Sequence, residues 1–178
     1  MTPQTHDRPV NSPAGSERAR VTDTFRMQLQ FSESVIRKNA GDITHEESLR
    51  SFQPAGNGLN WVLGHLVAIR SQLLVPLGGE PVWSAAECAP YDRHAAPFTG
   101  ASTVKPLAEI WKAFELTQSR LLEVAGRLAP AQLSEELPPG APGKTRVELL
   151  AVLGFHDAYH AGQTGVIRRL LGKPPADL

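Results

Sequence analysis

Residues 145–172, TRVELLAVLGFHDAYHAGQTGVIRRLLG, read as one long amphipathic helix. Thr145-x-x-Glu148 matches a capping box, in which a hydroxyl and a carboxylate each take a backbone N–H of the first turn. Gly172 and Pro174 stop the helix, and Arg168, Arg169 and Lys173 lie at the negative end of its dipole. Val147, Leu150 and Leu153 face one side. Leu149, Val152, His156, His160, Gln163, Ile167 and Leu170 run along another. A helix with two apolar sides must be covered by other helices, so the rest of the chain is read for its covers.

Three more helical segments supply them. Residues 57–74, NGLNWVLGHLVAIRSQLL, begin near Asn57 or Asn60, either of which can cap, and stop at Pro76 and the Gly78-Gly79 pair. The inward stripe there reads Trp61, His65, Ile69 and Leu73. From Val21 to about Asn39, Phe25, Leu29, Val35 and Ile36 recur at helical spacing behind Thr22 or Asp23 as N-cap, and Gly41 ends the segment. A third helix follows Thr103 and Pro106 with Leu107, Ile110, Trp111, Phe114, Leu121, Val124 and Leu128 on a broad apolar face. A Thr44-x-x-Glu47 box predicts a short extra turn, with His45 inside it as an exposed capping-turn residue. No alternating run is long enough for a sheet. The predicted fold is all-α, a four-helix bundle with long crossover connections.

The longest connection, residues 79–102, reads as a crossover whose Trp83, Tyr91 and Phe98 pack over one end of the bundle. Cys88 and His94 lie in it without a matching ligand spacing. Residues 1–19, rich in charge and proline, read as a disordered arm that includes His6, leaving one domain over 20–178.

Composition narrows the function classes. The chain has 178 residues, 18 basic and 18 acidic side chains, and 41% hydrophobic residues. Zero net charge gives no global support for a nucleic-acid or polybasic membrane surface. The most apolar stretch, residues 61–77, contains His65 and Arg70 and is shorter than the roughly 20 apolar residues that cross a bilayer. One cysteine makes no internal disulfide, and the N-terminal residues carry no apolar signal core, so a cytoplasmic protein is expected.

What chemistry there is lies in His65, His156 and His160. His156 and His160 are four residues apart, stacked on one helix face. With His65 on the inward row of another helix, they offer three neutral imidazoles to one ion and leave a coordination position open. The alternative is three core histidines, each satisfied by its own hydrogen bonds. Gln163 lies one turn beyond His160 and would orient a ligand; Asn57 and Asn60 would reach the site if not used as caps. Asp157 falls off the stripe and reads as a solvated carboxylate. Gly64 and Gly162 adjoin the histidines, where a small residue permits close contact.

The segments NGLNWVLGHLVAIRSQLL and FHDAYHAGQTGVIRRLLG together resemble the two signature helices of the DinB-like family of four-helix-bundle metalloproteins. The resemblance spans about residues 21–172. It implies a three-histidine divalent site at His65, His156 and His160, holding zinc or nickel; Asn57, Asn60 and Gln163 are candidate outer partners from their positions in the sequence alone. It also implies a homodimer acting on a small-molecule substrate. The activity it suggests first is a metal-dependent transferase that uses a low-molecular-weight thiol as cosubstrate. A metal-dependent hydrolase and a non-catalytic metal-binding stress protein are the alternatives.

Overall fold

The computed structural model describes residues 13–52, 57–95 and 104–177. Among the described residues seven α-helices follow one another: α1 (Pro13–Ala40), α2 (His45–Ser48), α3 (Leu59–Leu74), α4 (Ala85–Cys88), α5 (Leu107–Arg127), α6 (Pro130–Leu133) and α7 (Arg146–Leu170). Among the described residues no strand forms, and Glu136 and Thr145 make an isolated bridge at the entrance to α7. The fold is all-α, as the apolar periodicity predicts, and four of the helices are long. Helix α1 starts at Pro13, well before the expected Val21, so only residues 1–12 of the expected arm, His6 included, lie outside the described residues.

Local chemistry sets the helix ends. Thr44 closes a full capping box with Glu47 at α2. At α7, the Thr145 hydroxyl accepts from the Glu148 N–H, while the Glu148 carboxylate takes the Lys144 N–H rather than that of the cap. Neither Asn57 nor Asn60 caps α3. Gly58 is its N-cap, because a Cβ there would lie 2.5 Å from the Arg50 carbonyl oxygen. Asn60 is thereby released for work inside the bundle.

Contacts along the helices fix their directions. Gln28 packs on Gly154, and Asn39 Nδ2 donates to Thr164 Oγ1 at 3.1 Å, so α1 and α7 run parallel. Arg146 at the start of α7 donates to the Pro76 carbonyl just past α3, and Arg70 of α3 meets Asp157 of α7, so those two are antiparallel. Asn60 meets Lys105, Arg70 meets Phe114 and Gly79 meets Val124, so α3 and α5 are parallel. Arg37 pairs with Glu115 while Arg26 lies opposite Leu122 and Gly126, which sets α1 against α5. The order is up, down, down, up. Two parallel neighbours adjacent in sequence require a connection that returns the length of the bundle, which is why α3 and α5 are joined by the long crossover.

Helix α3 is the central element: 13 of its 16 residues are buried, against the single stripe expected. Trp61 and Ile69 of that stripe are only partly buried, whereas Arg70 on the opposite row is enclosed. The crossover covers this helix. Trp83 and Tyr91 are buried as expected, and Phe98 lies outside the described residues. Gly64 makes the cover possible, since a Cβ there would sit 2.1 Å from two ring carbons of Tyr91. Overpacking of this kind typically costs about 1–3 kcal/mol. Gly64→Ala is therefore expected to lower the unfolding free energy by that amount, seen as a lower urea midpoint with an unchanged m-value; an unmoved midpoint would show that the crossover packs elsewhere.

Candidate metal centre

His65 on α3 and His156 and His160 on α7 meet between the two antiparallel helices. The ring centroids are 5.2 Å apart for His65 and His156, 4.9 Å for His65 and His160, and 4.5 Å for His156 and His160. One ligand atom from each lies within 4.8 Å of the others. His65 and His160 are buried, and His156 is at the margin with its side chain 21% exposed. The ring of Trp61, one turn before His65, stacks on it with centroids 4.7 Å apart and planes within 8°.

The outer nitrogens are held by protein oxygens. His65 Nδ1 donates to the Tyr91 carbonyl at 2.7 Å, and His160 Nδ1 donates to Gln163 Oε1 at 2.7 Å. With Nδ1 carrying the proton, each ring keeps its Nε2 lone pair for the shared space. His65 Nε2 and His156 Nε2 are 3.2 Å apart. Two ligands about 2.0–2.1 Å from one ion at a tetrahedral angle are separated by roughly 3.3 Å, so this pair has the spacing that a single cation needs. The three ligand atoms lie within 4.8 Å of one another, so His160 is the third imidazole available to the same ion.

Electrostatics keeps the two buried histidines in their ligating form. Burial lowers the His65 pKa despite the Tyr91 carbonyl, which works the other way. Burial, reinforced by His156, pushes His160 down to about 4. Both are neutral at pH 7, as ligation demands.

The expected outer residues divide. Gln163 holds His160. Asn60 acts one step further out: its Nδ2 donates to the Lys105 carbonyl at 3.0 Å, and its Oδ1 accepts from Tyr91 Oη at 3.3 Å. Tyr91 Oη accepts in turn from the Lys105 N–H. Asn60 thus pins the crossover whose Tyr91 carbonyl holds His65. Asn57 is exposed and lines a cleft with Phe52, Val62 and Gln163, without a hydrogen bond to the histidines.

Two residues were misread or missed. Asp157 is not solvated: it is fully buried, and its Oδ2 accepts from Arg70 Nη2 at 2.5 Å and Nε at 3.1 Å. Burial alone would raise its pKa, but the Arg70 guanidinium works the other way, and the carboxyl stays below the usual carboxylate value. The buried face of α7 runs through Leu149, Leu153, Asp157, His160 and Thr164, turned by one position from the expected stripe, with Val152 exposed. Tyr91 was assigned to packing, yet its main chain reaches the site. A backbone carbonyl has no side-chain signature, so no signal could have found it.

The remaining candidates stay apart. Cys88 is buried with its sulfur near the Ala68 and Trp83 carbonyls, and burial raises its pKa. His45 is half-buried rather than exposed and accepts from the Leu107 N–H, and His94 bonds Arg93 at the surface.

Against known sequences, the family described as the DinB superfamily matches residues 28–164, an interval that contains all three histidines and Gln163. No curated protein sequence matches the chain.

Proposed function

Because this chain belongs to the DinB superfamily, we propose that it is a divalent-metal protein, with zinc or nickel at His65, His156 and His160, acting as a thiol S-transferase on a small-molecule electrophile. The observation that carries this reading is the convergence of three imidazoles from two helices, two of them with their outer nitrogens already committed to oxygen acceptors. A cation held there would keep an external thiol ionised at neutral pH, ready to form a sulfur–carbon bond as the leaving group departs with the electron pair.

The chain's own groups favour an external sulfur. Cys88 is enclosed, and its raised pKa keeps it a thiol. Asp157, the carboxylate beside His156, has one oxygen engaged by Arg70 and is fully enclosed, so it cannot serve as a mobile base for hydrolysis. Trp61 on His65 and Tyr159, whose ring lies edge-on to His160 at 5.1 Å, supply apolar surface beside the imidazoles. The reading includes a cytoplasmic homodimer, for which exposed Phe31, Val152 and Phe155 on α1 and α7 offer apolar area to a second copy.

The test is a steady-state assay of purified protein loaded with zinc or nickel, using a low-molecular-weight thiol and a panel of epoxide, alkyl and acyl electrophiles, with molar mass read by light scattering. Thiol consumption that requires metal and disappears in His156→Ala is expected. Consumption of electrophile without thiol would replace transfer by hydrolysis. Metal binding with neither reaction would leave a non-catalytic metal protein, and a monomer mass would remove the dimer.

A further inference from the structure

Among the described residues, four buried side-chain polar atoms lack a hydrogen-bond partner, and two of these, His156 Nδ1 and Asp157 Oδ1, lie 3.8 Å apart. The other two belong to Gln118. A buried orphan costs the full desolvation of the group, so two that face each other from adjacent residues call for a physical reason.

The tautomer of His156 supplies it. A neutral imidazole has one proton. His65 already donates through Nδ1, so its Nε2 offers a lone pair, and the 3.2 Å contact with His156 Nε2 is a hydrogen bond only if His156 carries its proton on Nε2. His156 Nδ1 then turns a lone pair toward the carboxylate, which explains the 3.8 Å separation. The alternative tautomer places the proton on Nδ1, aimed at Asp157 Oδ1, and frees the Nε2 lone pair. A cation shared by the three histidines requires the second tautomer.

We infer that Asp157, fixed by Arg70, is a positioning residue for His156: when Nε2 takes a cation, the single imidazole proton sits on Nδ1, and that N–H donates a hydrogen bond to Asp157 Oδ1. The geometry is prepared for this. Arg70 Nε and Nη2 both donate to Oδ2, leaving Oδ1 as the free acceptor, and Arg70 is itself held by the Phe114 carbonyl and by the Phe114 ring 4.1 Å from its guanidinium carbon. His156 thereby gains the outer partner that His65 has in Tyr91 and His160 has in Gln163. The three outer acceptors differ: a backbone carbonyl, an amide and a carboxylate. The carboxylate adds negative charge to the site and raises the basicity of its imidazole most.

This inference rests on the metal reading, and its test separates the two. Zinc affinity is measured by competition with a chromophoric chelator in the parent, in Asp157→Asn and in the paired variant Arg70→Met/Asp157→Leu, which removes both charges and so keeps the interior neutral. Zinc-loaded protein labelled with 15N-histidine reports the protonated nitrogen of each ring. We expect zinc affinity to fall 10–100-fold in both variants. A downfield Nδ1 proton on His156 is expected in the loaded parent alone, while the signals of His65 and His160 persist. If the paired variant is folded by circular dichroism and binds zinc as tightly as the parent, with the His156 proton pattern unchanged, the assignment is overturned. A parent that takes up no zinc overturns the metal reading and this inference together, an outcome visible before any variant is made.

Discussion

Asp157→Leu alone is expected to destabilise the protein by about 3–5 kcal/mol, and Arg70→Met alone by a similar amount, because each leaves one charge buried without its partner. Both side chains of the pair are completely inaccessible, so water cannot repair the loss. The double variant Arg70→Met/Asp157→Leu should recover most of that stability, since replacing a buried ion pair by apolar groups of similar volume is often neutral or better. Urea unfolding in the presence of a chelator measures all three without any contribution from metal. A double-mutant cycle in which the two losses add, or single losses below about 1 kcal/mol, would show that the pair is not the closed unit the geometry describes. The expectation has a functional corollary. If the apolar pair proves nearly as stable as the ion pair, stability does not account for the charges, and the carboxylate oxygen left free points to what they are used for.

The same pair shows where sequence reasoning stops. Helix existence was legible because apolar residues repeat at helical spacing, and the capping box at Thr44 formed as its residue types require. The histidine cluster was legible for a related reason: a four-residue spacing on one helix and an inward row on another leave little freedom once both helices are antiparallel. Arg70 carried a signal too, as the one charge within an apolar run, and a buried arginine demands a carboxylate. Its partner could not be chosen, because the face of α7 that meets α3 depends on helix rotation. One position of rotation exposes Val152 and buries Asp157. Asn60 failed as a cap for a similar reason: Gly58 fits under the Arg50 carbonyl, so the helix begins earlier, and the asparagine falls where the returning crossover needs a donor and an acceptor.

Loss of any one of the three histidines is expected to abolish stoichiometric metal binding, the largest effect anticipated for this protein. Three imidazoles leave an open position on the ion, and a site reduced to two protein ligands holds a divalent cation too weakly to survive purification. The parent should carry about one ion per chain. His65→Ala, His156→Ala and His160→Ala should each carry almost none, whereas Gln163→Leu, which removes an outer acceptor and no ligand, should retain the ion with reduced affinity. The loss should also appear in stability. At free metal about 1,000-fold above the dissociation constant, binding to the folded state alone contributes about 4 kcal/mol, so the parent should melt higher with zinc than with chelator while the three alanine variants show no difference. Comparing every variant in chelator isolates the cost of the cavity left by a missing ring, which at the two buried positions, His65 and His160, adds to the change. The quantity that decides is therefore the zinc-dependent shift rather than the melting temperature itself. Retention of stoichiometric metal by all three alanine variants would place the ion elsewhere, and the hydrogen bonds to Tyr91 and Gln163 would then be the ordinary satisfaction of core histidines.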